Sequence, residues 1–240
     1  MKRREILSSL GAAVAAVPAA KLLANEMEGF PHDMALDQAF VPVPAATGAP
    51  QVLTREIDRR TVSAVFDRLI PGDELGPSAT DAGCVDFLDS QLAGTFGQGA
   101  SLYRAGPKAV GEDALMQKPQ FIATPRERYE TGLRALEAYA QRTHKASFAD
   151  LKPDQQDAIL HGMETGTIEL APEVNTPAFF ELMLANVREG YFADPMYGGN
   201  KNMVGWKMIG FPGARYDYRL YADRTGEDLG LEPVSLIPKA

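Results

Sequence analysis

Along residues 54–70 the positions Ile57, Thr61, Val65 with Phe66, and Leu69 recur at the spacing of one helical face, and Pro71-Gly72 ends the run. A second helix follows Asp81, with Val85, Leu88 and Leu92 on one face and Gly94 as its stop. Residues 94–123 are punctuated by Gly and Pro, which predicts only short helical turns there. Thr124-Pro125-Arg126-Glu127 reads as a capping box with proline at the first helical position. It opens a helix whose stripe is Tyr129, Leu133, Leu136 and Tyr139 and whose end lies near Thr143. Residues 148–166 give another helix, starting at Asp150 or Pro153, with Ile159, Leu160 and Met163 inward. Thr176-Pro177 repeats the capping logic for a helix through Phe180, Leu184, Val187 and Tyr191. No internal repeat is visible, nor a period-two run longer than four residues. The expected fold is mainly α: a single compact helical domain of five or six helices within residues 51–240, ending in a long irregular C-terminal segment.

The N-terminus has a different pattern. Lys2-Arg3-Arg4-Glu5-Ile6-Leu7 precedes a mildly apolar run of Ala, Gly, Ser and Val that ends at Ala20. About fifteen such residues are too few and too weakly apolar to span a bilayer, so residues 1–24 read as a targeting segment. Arg3 and Arg4 together match the twin-arginine address, which exports proteins already folded, commonly with a redox cofactor in place. The alternative is an ordinary secretory signal with two basic residues by chance. Cleavage after Ala20 or after Ala24 fits equally, and either gives a periplasmic product. Residues 25–50, with Pro42, Pro44 and Pro50 and little apolar periodicity, read as a linker.

Charge narrows the partners. The chain has 24 Lys plus Arg against 32 Asp plus Glu, and removing residues 1–24 leaves 20 against 31. A mature chain at about −11 repels phosphate backbones and anionic headgroups, which disfavours nucleic acid and direct electrostatic binding to a membrane. Cys84 is the single cysteine. One cysteine builds no iron–sulfur cluster, structural zinc site or internal disulfide. Asp81, Asp86 and Asp89 surround it and Asp81-Ala82-Gly83 precedes it, which places it at the start of a helix near the surface. Nearby negative charge raises a thiol pKa, leaving either burial or an interchain disulfide after export.

Motifs for chemistry are absent. There is no Gly-x-Gly-x-x-Gly, no phosphate loop, no Gly-x-Ser-x-Gly and no His-Glu-x-x-His. Of the three histidines, His32 lies in the linker, His144 at a helix end where the dipole favours its charge, and His161 beside Glu164 on a helix. A lone His-x-x-Glu reads as a solvated helix face rather than half of a metal site.

The unusual part of the chain is 191–221. It gathers the only tryptophan, much of the aromatic content and five glycines into irregular sequence. Gly198-Gly199 and Phe211-Pro212-Gly213 demand special backbone angles, and the segment is either a core-covering loop or a surface of aromatic anchors. Its pattern is Tyr-Phe-x-Asp-Pro-x-Tyr-Gly-Gly-Asn, then Gly-Trp-x-x-Ile-Gly-Phe-Pro-Gly, over residues 191–213. It resembles the signature of the gluconate 2-dehydrogenase subunit 3 family, and the likeness extends less distinctly over residues 54–218.

The resemblance implies a non-catalytic small subunit with no cofactor of its own and no catalytic or metal-binding residues to carry over. Its large partner would bear FAD and a multihaem cytochrome c subunit would carry electrons toward the membrane, so that membrane association comes only through partners. The small chain would support maturation and export of the large one. The expected interface comprises Cys84, Tyr197, Gly198, Gly199, Asn200, Trp206, Phe211, Arg215 and Tyr216. Two other readings stand beside it: a free-standing periplasmic enzyme using carboxylates with His144 or His161, and a sugar-binding protein whose Trp206 and tyrosines stack on a sugar face.

Overall fold

The computed structural model describes residues 43–45, 48–102 and 123–236. The leader with Arg3 and Arg4, most of the linker and the turns expected within 103–122 lie outside the described residues. Among the described residues six α-helices form the body: α1 (Glu56–Leu69), α2 (Cys84–Ala93), α3 (Pro125–His144), α4 (Pro153–Thr165), α5 (Thr176–Phe192) and α6 (Val204–Met208). The mainly helical fold expected from the sequence is therefore the observed one. Among the described residues there is no strand, only an isolated parallel bridge between Gly213 and Val234, and no helix is long and apolar enough to cross a membrane.

Helix ends reflect local chemistry. At α3 the Thr124 hydroxyl accepts from Glu127 N–H at 3.2 Å, and the Glu127 carboxylate accepts from Thr124 N–H at 2.7 Å. This is the reciprocal cap that the sequence announces. The run 148–166 divides. Phe148–Asp150 makes a 3-10 turn, Leu151 and Lys152 are extended, and α4 starts at Pro153. Proline disfavours a helical residue before it, which is why the break falls there and why Asp150 does not start α4. At α5 the cap lies one residue before Thr176: Asn175 Oδ1 accepts from Ala178 N–H at 3.1 Å, while the Thr176 hydroxyl accepts from Leu170 N–H at 3.0 Å.

Helix α5 packs against all five other helices. It buries Phe179, Phe180, Met183, Asn186, Val187, Gly190 and Tyr191, on more than one side, as an inner helix must. The sequence stripe caught Phe180, Val187 and Tyr191 but missed Phe179, Met183 and Asn186. Around it lie Val62, Val65 and Phe66 of α1, Leu88 and Leu92 of α2, Leu133 and Leu136 of α3, and Ile159, Leu160 and Met163 of α4, all buried. A polar chain runs through the interior: Tyr129 O–H donates to Asn186 Oδ1 at 2.9 Å, and Asn186 Nδ2 donates to Glu189 at 2.9 Å. Buried Asp89 of α2 accepts from the N–H groups of Gln51, Val52 and Leu53 at 2.7, 2.9 and 2.6 Å, so the chain entering α1 is tied to α2.

Tyr129 and Phe179 meet edge to face, with centroids 5.7 Å apart, because Gly132 lies flat beneath the Phe179 ring. A Cβ at Gly132 would sit 2.5 Å from that ring. Alanine in place of a helical glycine ordinarily stabilises by roughly 0.5–1 kcal/mol. Here the sign reverses: Gly132→Ala is expected to lose about 1–3 kcal/mol by overpacking, read as a lower urea midpoint in circular dichroism.

Candidate functional site

A helix leaves its last carbonyls without partners, and residues 191–213 supply them for α5. The Trp206 indole Nε1–H donates to Phe192 C=O at 2.7 Å, and Asn200 Nδ2 donates to Ala193 C=O at 2.8 Å. Asn200 is wholly buried, and its Oδ1 accepts from Gly205 N–H at 2.8 Å, joining the end of α5 to the start of α6. Its φ of 46° lies in the left-handed region that Asn tolerates better than most residues. The glycines admit the loop to the helix end. A Cβ on Gly199 would stand 2.1 Å from Gly190 C=O, and one on Gly205 would stand 2.1 Å from Tyr191 C=O. Asp194 caps the 3-10 turn Pro195–Tyr197, accepting from Met196 N–H at 3.0 Å.

The same segment rests on α2. Lys201 N–H donates to Ala82 C=O at 3.0 Å, and Lys201 Nζ reaches Asp86 at 3.4 Å, where Arg59 of α1 also pairs. The two helices approach closely where Gly190 of α5 faces Cys84 and Phe87 of α2. Cys84 does begin its helix, but the expectation of a position near the surface is overturned: the residue is 0 % exposed. It is the small side chain at this crossing, and a folded chain does not offer it for a bridge to another. Burial is the first cause that pushes its thiol up to about 12, with Asp67 second, while its backbone hydrogen bond and Lys201 pull the other way. Of the three aspartates around it in sequence, Asp86 answers Arg59 and Lys201, Asp89 binds residues 51–53, and Asp81 pairs with Ser78.

The other residues expected at an interface divide by position. Gly198, Gly199, Asn200 and Trp206 are buried; Arg215 is half-buried, donating to Glu232 C=O at 2.8 Å; Tyr197, Phe211 and Tyr216 are exposed. Trp206 is 5 % exposed and carries Phe211 edge to face on its ring, centroids 5.2 Å apart. It presents no open face for a sugar. Sequence reasoning missed Met208, Ile209, Tyr218 and Leu220, which are large, apolar or aromatic, and exposed. Ile209 and Tyr218 lie in irregular backbone, where periodicity fails, and the turns that carry Met208 and Leu220 are too short to show a period, so nothing in the sequence marked them as outward. Asp194 was more legible, since Asp before Pro is a capping pair.

His144 and His161, the histidines among the described residues, are exposed. His144 Nδ1 meets Gln155 Nε2 at 3.3 Å and His161 lies 3.5 Å from Glu164. Among the described residues no group of three or more His, Cys, Asp or Glu is placed to hold a metal ion. An open groove of about 570 Å³ is lined by Pro50, Thr54, Arg59, Arg60 and Ser63, and no residue of 191–213 contributes to it.

Three measurements check the account of Cys84. At pH 8 its reaction with a disulfide reagent should wait on unfolding, slow in buffer and fast in urea, and non-reducing electrophoresis of any complex should show no bridge through it. A thiol held neutral by folding contributes stability that is complete below its unfolded pKa near 9.0 and is lost as pH rises toward about 12. Cys84→Ala should therefore flatten the loss of stability measured between those pH values.

The model of one protein family, described as Gluconate 2-dehydrogenase subunit 3, matches residues 56–213, more than half of the chain. No curated protein and no solved structure was found to match. The matched region begins with the first residue of α1 and ends at Gly213, which closes the loop over α5, so the whole helical body and its capping segment fall within it. The chain belongs to the gluconate 2-dehydrogenase subunit 3 family.

Proposed function

We propose that this chain is the non-catalytic small subunit of an exported flavin-dependent dehydrogenase complex, and that it supports maturation and twin-arginine export of the FAD-bearing large subunit. Family membership supports its place as a subunit of a multi-subunit gluconate 2-dehydrogenase complex. The twin Arg3-Arg4 of the leader supports the export route. The reading puts the complex in the periplasm, with a multihaem cytochrome c subunit passing electrons to the membrane and holding the assembly there.

The observation that carries the proposal is the division of labour in residues 191–213. The polar groups of Asn200, Trp206 and Asp194 are consumed within the chain, whereas Tyr197, Ile209 and Phe211 are left outside on the rigid platform those bonds create. Aromatic and apolar anchors on a rigid base suit a protein partner, because little side-chain freedom remains to be lost on docking. Trp206 serves that surface from beneath by supporting Phe211.

Two experiments test it. Replacing Arg3 and Arg4 by Lys should strand both this chain and the large subunit in the cytoplasm, as shown by fractionation and flavin fluorescence. A flavoprotein found outside the membrane in that variant sinks the carrier role. At the surface, Phe211→Ala with Ile209→Ser should weaken association with the co-purified large subunit by about 2 kcal/mol or more, with the melting temperature nearly unchanged. Trp206→Ala should instead lower the melting temperature, since it removes a buried ring and orphans Phe192 C=O.

A further inference from the structure

The Pro195–Tyr197 turn and its cap Asp194 hold both ends of the described chain. On the N-terminal side, Ala45 N–H donates to Met196 C=O at 2.6 Å, ahead of the residues that Asp89 fixes. On the C-terminal side, Asp194 Oδ1 accepts from the Ser235 hydroxyl at 2.6 Å and Oδ2 from Leu236 N–H at 2.8 Å. That same Oδ1 also takes Met196 N–H at 3.0 Å. One carboxylate, 8 % exposed, thus orients the peptide whose carbonyl receives the N-terminal stem and also grips the returning C-terminal arm.

The arm is a closed loop. Ala214 N–H donates to Val234 C=O at 2.8 Å and Val234 N–H to Pro212 C=O at 3.3 Å, so residues 214–233 leave and return at one point. A Cβ on Gly213 would lie 2.1 Å from Val234 C=O, which is how closely the base is drawn together. Apart from the 3-10 turn Arg219–Tyr221 the loop is irregular, and Leu220 at its turn is 83 % exposed. It begins where the family match ends at residue 213. Long irregular loops held at a rigid base are commonly functional.

We propose that Asp194 and the Pro195–Tyr197 turn couple the stem at Ala45 to the returning arm at Ser235 and Leu236: freeing the arm from Asp194 loosens the stem. Asp194 without Ser235 and Leu236 would rotate toward water and cap Met196 less firmly, and Met196 C=O would be held in place less well for Ala45. A polypeptide partner that engages Leu220 would thereby alter exposure of the stem that comes after the leader. This use of the coupling rests on the subunit reading above; the coupling itself is a property of the isolated chain.

Residue-resolved amide hydrogen exchange on the full chain tests it. Ser235→Ala with Leu236→Pro removes both donors that the arm offers to Asp194. It should speed exchange at Ala214 and Val234, and also at Ala45, by roughly threefold to tenfold, the effect of one weakened hydrogen bond. Amides within α5, such as Val187, should keep their rates. Faster exchange at Ala214 with an unchanged rate at Ala45 would overturn the proposal, as would exchange at Ala45 of the unaltered chain as fast as in a free peptide. Should the double variant not fold, Ala45→Pro probes the coupling from the other end. Coupling is reciprocal, so removing the stem's donor should raise exchange at Ala214 by a similar factor, and no change there refutes it. Failure to find a flavoprotein partner would remove the subunit reading and leave this measurement standing.

Discussion

The termination of α5 is the constraint on which the rest depends. This helix is inner to the body, so its C-terminal end cannot simply be left to solvent, and buried carbonyls without donors are costly. The chain answers with side-chain donors from along the loop at two of these positions: the indole of Trp206 for Phe192 and the amide of Asn200 for Ala193. Reaching those atoms requires backbone to pass over backbone, which Gly199 and Gly205 permit and any side chain there would prevent. A signature of glycines, asparagine and tryptophan therefore has a structural origin before it has any partner.

The same economy of space explains the crossing of α2 and α5. Gly190 and Cys84 are small enough to let the helices approach, and Phe87 fills the side of the contact. The cysteine there is a packing residue whose neutral thiol suits its surroundings, consistent with free cysteine acting as a small hydrophobe. Charge is handled at the rim. Asp86 gathers Arg59 of α1 and Lys201 of the loop, so three elements meet at one carboxylate, while buried Asp89 is occupied by three backbone N–H groups rather than by a cation.

Capping of α5 leaves a rigid base with outward side chains. With Asn200, Trp206 and Asp194 engaged within the chain, the large side chains left exposed include Tyr197, Ile209, Phe211 and, along the arm, Tyr218 and Leu220. Exposed residues of this size on a pre-ordered surface match the composition of interface cores. The arm adds a feature outside the family match, and its attachment through Asp194 makes it continuous with the capping segment rather than an independent tail.

The family was legible through the resemblance of residues 191–213 to its signature, while amino-acid pattern alone determined the helical class, the approximate limits of α1, α2 and α3, and the capping box at Thr124. These depend on local spacing and on caps built from near neighbours, which a linear reading contains. It did not determine the split before α4, the cap at Asn175, or the buried faces of Phe179 and Met183, because several helices surround α5 and no single stripe describes it. The outward residues of the loop were hidden for a related reason: irregular backbone has no period. Cys84 shows the contrast most clearly. Its sequence neighbours are acidic and suggest water, yet in three dimensions those aspartates turn to Arg59, Lys201, Ser78 and the backbone of residues 51–53 while Cys84 is packed against Gly190. Only tertiary packing decides which way each side chain of a helix points when the helix has neighbours on more than one side.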